Sequence, residues 1–239
     1  MSPIDGSRLI DLTHPLDENT FQWPGDRSFH RREEAYGRTA AGYWYALGSF
    51  EASEHAGTHL DSPIHFGEGQ ATIDEVPLDR LISPAVVIDI SKPCGENRDY
   101  ELSRSDLERW EAAHERIRPG ALVLARSGWA DRWSDPRRYL GTAALHNAST
   151  FHFPGIDPEA AHLLVERGVN GVGVDTASLD HGPSTTFRTH QILNRAGIYG
   201  LENLANLDLL PASGATVVAL PLRIRNGSGA PARVIAILP

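Results

Sequence analysis

Residues 55–65 have the sequence His-Ala-Gly-Thr-His-Leu-Asp-Ser-Pro-Ile-His, and three of the chain's 11 histidines lie in this stretch. Imidazole and carboxylate groups together form the ligand set that suits zinc, manganese or iron. Gly57 allows the backbone to pass close to an ion, and Pro63 stiffens the turn that follows. The spacing of His55 and His59 would also place both on one face of a helix, but the glycine and the proline favour a shaped loop. The stretch therefore predicts a metal site. A histidine that makes its own unrelated hydrogen bonds would be the better interpretation if only one were present. It is the poorer interpretation for three histidines together with an aspartate.

The size and charge of the chain limit the classes of function. Its 239 residues predict one domain, residues 1–239, that buries a core without disulfides. The single cysteine, Cys94, excludes an intramolecular disulfide and any zinc site built from several cysteines. Acidic residues outnumber basic ones by 31 to 22 and no basic run occurs, so we expect no nucleic-acid partner. No apolar stretch approaches the ~20 residues of a membrane span. We therefore expect a cytoplasmic protein that acts on a small molecule.

Hydrophobic periodicity predicts an α/β fold with a mixed sheet. Helices are predicted over residues 105–117, where Ser105 and Glu108 resemble a capping box, over 158–167 after Asp157, and over 185–196. Strands are predicted at residues 8–13, 43–52, 84–90, 121–127, 171–175, 198–203, 215–224 and 233–238. Strands and helices alternate in the middle of the chain while both ends are rich in strands. This order is typical of a mixed sheet.

Three residues outside the histidine-rich stretch are candidates for the same site. Glu202 lies in a predicted apolar strand, where a carboxylate is costly unless it is paired or bound to a metal. His190 lies in a predicted amphipathic helix, where the alternative interpretation is a half-buried surface histidine. Trp23 lies in a Pro-Gly turn and is a candidate wall for a flat substrate.

Several further residues are weaker candidates. Alternating aromatic residues of a strand usually pack against neighbouring layers, and supporting or surface roles fit the remaining histidines better than substrate contact. Asp175 ends a predicted buried strand and is either a supporting partner or a turn cap. The weaker candidates for lining the site are Tyr43, Trp44, Tyr45, Phe50, His14, His152 and His181.

Residues 55–65 resemble the His-x-Gly-Thr-His-x-Asp-x-Pro-x-His signature of the cyclase family of metal-dependent hydrolases. The family includes bacterial kynurenine formamidase and isatin hydrolase, and every fixed position of the signature is present. The segment 21–26, with Trp23 in it, resembles the family's N-terminal aromatic-Pro-Gly-Asp stretch. His190, followed twelve residues later by Glu202, resembles the family's distal histidine and glutamate.

The resemblance implies a fold, a ligand set and an assembly. The fold would be the family's swivelling β/β/α domain, assembled as a homodimer or a homotetramer. His55, His59 and Asp61 would hold one divalent ion, zinc or manganese. Asp61, His190 and Glu202 would hold a second, with Asp61 and Glu202 bridging, so that one or two ions are expected per subunit. His65 would be the catalytic acid and base.

The predicted reaction is hydrolysis by metal-activated water. A divalent ion lowers the pKa of bound water from ~15.7 towards ~7 and polarises a carbonyl, while a neutral histidine such as His65 moves the proton. The scissile bond would be an amide, lactam, lactone or ester of a small aromatic or cyclic substrate, with non-peptide carbon-nitrogen bonds favoured by the resemblance. A polyketide-type cyclase or dehydratase would use the same site. A non-catalytic metal-binding protein would need neither His65 nor Trp23. No Gly-x-Ser-x-Gly elbow supports a serine hydrolase.

Overall fold

The computed structural model describes residues 5–239, which form a mixed sheet covered by helices. Five α-helices occur in this part of the chain: α1 (Ser91–Glu96), α2 (Arg104–Ala113), α3 (Pro136–Tyr139), α4 (Pro158–Arg167) and α5 (Arg188–Arg195). Its strands are β1 (Leu9–Asp11), β2 (His30–Arg38), β3 (Trp44–Glu51), β4 (His59–Asp61), β5 (Ile82–Asp89), β6 (Glu101–Leu102), β7 (Leu122–Arg126), β8 (Gly155–Ile156), β9 (Gly171–Val174), β10 (Tyr199–Glu202), β11 (Ser213–Pro221) and β12 (Gly229–Ile237). The predicted α/β class is confirmed, and each of the eight predicted strands overlaps an observed one.

The main sheet has eight strands in the order β1-β12-β11-β5-β7-β9-β10-β4. Strands β5, β7, β9 and β10 run parallel, whereas the pairings of β11, β12 and β4 are antiparallel. A further antiparallel pairing of β4 with β12 joins the two sides of the sheet, so that the strands close into a barrel-like ring. Closure removes the free edge that β4 would otherwise present and holds this short strand in place.

Apolar residues form one core on each side of the sheet. Outside the ring, α2 and α4 bury residues such as Leu107 and Leu164 against the parallel strands. Inside it, residues such as Leu60 and Leu201 fill the space between strands. Strands β7, β9 and β10 are buried on both faces, which explains why their sequences are mainly apolar, whereas β5 alternates exposed and buried residues in its first half.

Helix ends differ from the sequence prediction in two places. Helix α4 begins after Asp157 and ends at a left-handed Gly168, as predicted. Helix α2 instead has its capping box at Ser103 and Asp106, two residues before the predicted one, and ends at Ala113 rather than at residue 117. Helix α5 begins at Arg188, because the segment before it is irregular. The capping box at Ser103 marks the start of α2, and Asp180 accepts hydrogen bonds from the N–H groups of Thr189 and His190 in the first turn of α5.

Strands β2 and β3 form a two-stranded hairpin outside the main sheet. Strand β2 was not predicted because its run of charged residues lacks the alternation of apolar and polar residues that is typical of a strand. Every residue of β3 is exposed, so the prediction that its aromatic residues pack against a neighbouring layer is wrong within this chain. No helix in residues 5–239 combines the length and the apolar character needed to cross a bilayer.

Candidate active site

The pairing of β4 with β10 brings three predicted ligands onto one face of the sheet. Antiparallel register places Glu202 opposite His59, and Gly200 opposite Asp61. His59 and Asp61 are two residues apart on one strand, so their side chains point to the same face, and cross-strand partners share that face. Gly200 leaves room for the Asp61 carboxylate, since a Cβ there would lie 3.2 Å from Asp61 Oδ2. Glu202 and His59, which are 143 positions apart in sequence, thus become neighbours.

The loop before β4 supplies His55 and orients His59. Gly57 has a left-handed backbone (φ 62°), and a Cβ at this position would lie 2.7 Å from Leu16. Its carbonyl oxygen is 2.8 Å from Nδ1 of His59, which directs Nε2 towards the carboxylates. Nδ1 of His55 lies 2.6 Å from Asp61 Oδ1. The predicted shaped loop is therefore correct for residues 55–58, while His59 and Asp61 lie on a strand.

Helix α5 contributes His190, which is held by Asp180. The Asp180 carboxylate accepts hydrogen bonds from the backbone N–H groups of Thr189 and His190 and lies 2.6 Å from His190 Nδ1. Nε2 of His190 consequently points at Glu202 Oε1 (3.0 Å) and Asp61 Oδ2 (3.4 Å). A histidine whose second nitrogen is fixed by a carboxylate is the usual arrangement of a metal ligand. Glu202 Oε1 also accepts from the backbone N–H of Leu179.

The electrostatics of this cluster favour a cation. Asp61 and Glu202 are 1% and 5% exposed. Burial opposes the charged form of His59, yet Asp61 and Glu202 raise its pKa to about 9. Burial likewise opposes ionisation of Asp61, but His59 and His65 hold its pKa well below the ordinary value. Two buried carboxylates thus demand positive charge beside them.

The donor geometry fits a divalent ion. Two sets of ligand atoms lie within 4.8 Å of one another: His55, Asp61 and His65 form one set, and His59, Asp61 and Glu202 form the other. Nε2 of His59 and Oδ2 of Asp61 are buried without a hydrogen-bond partner, as expected for atoms whose partner is an ion. Asp61 belongs to both sets, but the other residues are grouped differently from the resemblance, which places His59 with His55 and Glu202 with His190.

His65 lies close to the ligands rather than apart from them. It ends a 3-10 turn that begins at Pro63, and its ring stacks on that of His55 at 4.1 Å. Burial and the neighbouring His55 lower its pKa to about 4, although Asp61 opposes this shift, so the imidazole is neutral near pH 7. This form accepts a proton and equally binds a metal ion.

A cavity of about 300 Å³ opens onto the ligand cluster. Histidines and Glu202 form its floor, and aromatic residues form its wall. Trp23 lies in that wall as predicted, with Phe21, Phe66 and Phe187 beside it. Of the weaker candidates, none of Tyr43, Trp44, Tyr45, Phe50, His14, His152 and His181 lines it.

Sequence reasoning missed several residues of this site. Phe66 and Asp180 directly adjoin candidate histidines in sequence, which was the available signal. Phe187 and Ser228 carried no such signal, and Ser228 places its Oγ 2.9 Å from Nε2 of His55. Asp175 caps the turn after β7 by accepting hydrogen bonds from Ser127 and its neighbours, which is the turn-cap interpretation.

Comparison with known proteins identifies the family. The family model named Cyclase matches residues 10–181. An isatin hydrolase of Roseibium aggregatum is 34% identical, the alignment covering 97% of this chain and 92% of that protein. A kynurenine formamidase of Salinibacter ruber is 32% identical over 95% of this chain and 96% of its own length. The solved structure of isatin hydrolase A from Labrenzia aggregata, bound to benzyl benzoate, superposes with a TM-score of 0.88 at 37% identity, covering 97% and 93% of the two chains.

Proposed function

The chain belongs to the cyclase family, and on that premise we propose that it is a metal-dependent hydrolase of small aromatic or cyclic substrates. The bond cleaved is an amide, lactam, lactone or ester, and non-peptide carbon-nitrogen bonds are the preferred class. One observation carries this proposal: the cavity with the aromatic wall opens directly onto the buried ligand cluster. A substrate whose reactive carbonyl lies against the ligand cluster would have its aromatic ring against the aromatic wall.

The ligand cluster would hold one or two divalent ions, which we propose are zinc or manganese. His59, Asp61 and Glu202 form the fully buried set, and His55 supplies a ligand atom from the loop. His190 would join on the Glu202 side, where its Nε2 already points. A bound ion of this kind acidifies water and polarises the substrate carbonyl.

The residues of the chain then orient the substrate and move the proton. His65 lines the cavity above His55, so we assign it the transfer of a proton from the attacking water to the leaving group. Asp180 keeps His190 in one orientation throughout. Trp23 in the cavity wall would pack against the ring of the substrate.

Hydrolysis assays on protein loaded with zinc or manganese test this proposal. The substrates are N-formylkynurenine, isatin and simple aryl esters, each with and without prior removal of metal by a chelator. We expect turnover of at least one substrate that is lost on chelation and restored by added metal. His59→Asn should abolish it, whereas His152→Asn, which removes a histidine paired with Asp99 outside the cavity, should not. Turnover that survives thorough chelation would exclude the metal mechanism, and no turnover of any substrate would favour a cyclase or dehydratase.

We also propose that the protein is a cytoplasmic homodimer or homotetramer that binds neither nucleic acid nor membrane. The support for self-association is the hairpin, where Tyr43, Trp44 and Phe50 are all about 60% exposed. A second copy covering this hairpin would bury these side chains. Light scattering after gel filtration tests this: Trp44→Glu should lower the mass, while Leu78→Glu, at a similarly exposed apolar residue elsewhere, should not. An unchanged mass for Trp44→Glu would exclude the hairpin as the interface.

A further inference from the structure

Phe187 has a backbone conformation that its side chain does not favour. Its φ and ψ are 48° and 46°, in the left-handed region. Within residues 5–239 the other non-glycine residues with positive φ are Asn203, Asn206 and Asn226, and asparagine tolerates this region. Phenylalanine has no side-chain amide to compensate for the strain. The surrounding structure must therefore hold Phe187 in place, and such residues cluster at functional sites.

The strained backbone directs the ring of Phe187 into the cavity. Its N–H donates to Ser184 Oγ (3.3 Å), and its carbonyl accepts from the N–H of Gln191 in the first turn of α5. The ring centroid lies 5.9 Å from that of Trp23 and 5.4 Å from that of Phe66. It also lies 6.2 Å from the ring of His190. Phe187 thus forms part of the aromatic wall, between Trp23 and Phe66 and within reach of His190.

The segment that carries Phe187 contacts Asp180 through the hydroxyl of Ser184, which lies 3.4 Å from Asp180 Oδ1, and not through the Phe187 side chain. Residues 181–187 connect Asp180 to helix α5, and residues 185 and 186 are exposed. Asp180 holds Thr189 and His190 directly, through their backbone N–H groups and His190 Nδ1. A change at Phe187 therefore alters the wall of the cavity without removing the contacts that orient His190.

We propose that Phe187 sets the width of the aromatic substrate that the cavity accepts, a proposal that rests on the function proposed above. The ring admits substrates with one aromatic ring and short substituents, and it excludes two fused six-membered rings. A cavity of about 300 Å³ is at the small end of ligand pockets, so one ring on its wall decides what fits. The left-handed backbone aims the ring inward, because a relaxed backbone at this residue would change the direction of the Cα–Cβ bond.

The test measures binding of two non-hydrolysable probes, so it does not depend on turnover. The probes are 2-aminobenzoate and the wider 3-amino-2-naphthoate, titrated calorimetrically into metal-loaded protein. The variants are Phe187→Asn, which tolerates the left-handed backbone but lacks the ring, and Phe187→Leu, which keeps an apolar side chain. Arg188→Asn is the matched control, since this neighbour is exposed and lies outside the cavity lining.

We expect wild-type protein and Arg188→Asn to prefer 2-aminobenzoate by at least tenfold in Kd. Phe187→Asn should reduce this preference at least fivefold, mainly by tighter binding of the naphthoate, and Phe187→Leu should give an intermediate value. An unchanged ratio in both Phe187 variants, with unchanged circular dichroism, would overturn the proposal, and so would wild-type protein that binds neither probe. Protein that shows the shifted ratio but hydrolyses nothing would instead refute the proposed function alone.

Discussion

Replacing Asp180 by asparagine should weaken metal binding without touching a ligand. The Asp180 carboxylate accepts hydrogen bonds from the N–H groups of Thr189 and His190 and from the Ser184 hydroxyl, and it lies 2.6 Å from His190 Nδ1. Burial opposes its ionisation, but the hydrogen bond and charge of His190 lower its pKa, so it is charged at neutral pH. Asparagine has one acceptor oxygen and an NH₂ group that would face an N–H donor.

The expected loss of metal affinity follows from the role of the Asp180 carboxylate. It fixes the ring of His190 so that Nε2 points at Glu202 and Asp61, and it makes this imidazole a stronger ligand. Loss of such a supporting carboxylate typically costs 10- to 100-fold in metal affinity, roughly 1.4–2.7 kcal/mol. Only the binding step that uses His190 should weaken, because His55 and His59 do not contact Asp180.

The assay is a titration of metal-free protein with zinc in competition with a chromophoric chelator at constant pH. Asp99→Asn is the matched control, since Asp99 contacts Nδ1 of His152 at 2.8 Å in the same kind of pair away from the cavity. Thermal unfolding of both metal-free variants checks that the fold is kept. Asp180→Asn binding zinc as tightly as the wild type, or Asp99→Asn losing as much affinity, would refute the reasoning.

Three further perturbations test the site and the fold. His65→Ala should retain metal, measured by elemental analysis, and lose at least 100-fold in kcat; loss of the metal would make His65 a ligand instead. Gly57→Ala should lower the free energy of unfolding in urea by more than about 1 kcal/mol, and by more than Gly69→Ala, which shares the left-handed strain but has no atom near its Cβ. Equal effects would show that contact with Leu16 is unimportant. Ser103→Ala should lower the free energy of unfolding in urea by about 1 kcal/mol and Ser105→Ala by much less, because Ser103 caps α2. A larger effect of Ser105→Ala would show that Ser105 is the cap, as the sequence predicts.

The strands were predicted well because their signal is local. Strands β7 and β9 are apolar runs that are buried along almost their whole length, and burial on both faces requires such runs. Strand β4 was missed because it has only three residues, two of them polar. Its hydrogen bonds to β10 and β12 make it a strand, and those partners are more than 130 residues away.

The capping box of α2 also shows the difference between what local sequence patterns predict and what contacts in the folded structure decide. Ser103-x-x-Asp106 and Ser105-x-x-Glu108 both have spacing suitable for a cap. Asp106 is chosen because it also accepts a hydrogen bond from the Tyr100 hydroxyl, a contact that the folded loop provides. Local patterns place a helix within a few residues, while contacts outside the helix decide its first turn.

The sequence by itself determined which residue types are present to bind a metal and which classes of reaction those types exclude. Imidazole and carboxylate groups spaced over residues 55–65, with Gly57 and Pro63 between them, already imply a metal site, because ligand chemistry belongs to the side chains. Only the tertiary structure decided how His190 and Glu202 join that stretch. The β4–β10 register is set by hydrogen bonds between distant strands, and the strained Phe187 is held by contacts across the cavity. Local sequence patterns do not encode either kind of long-range contact.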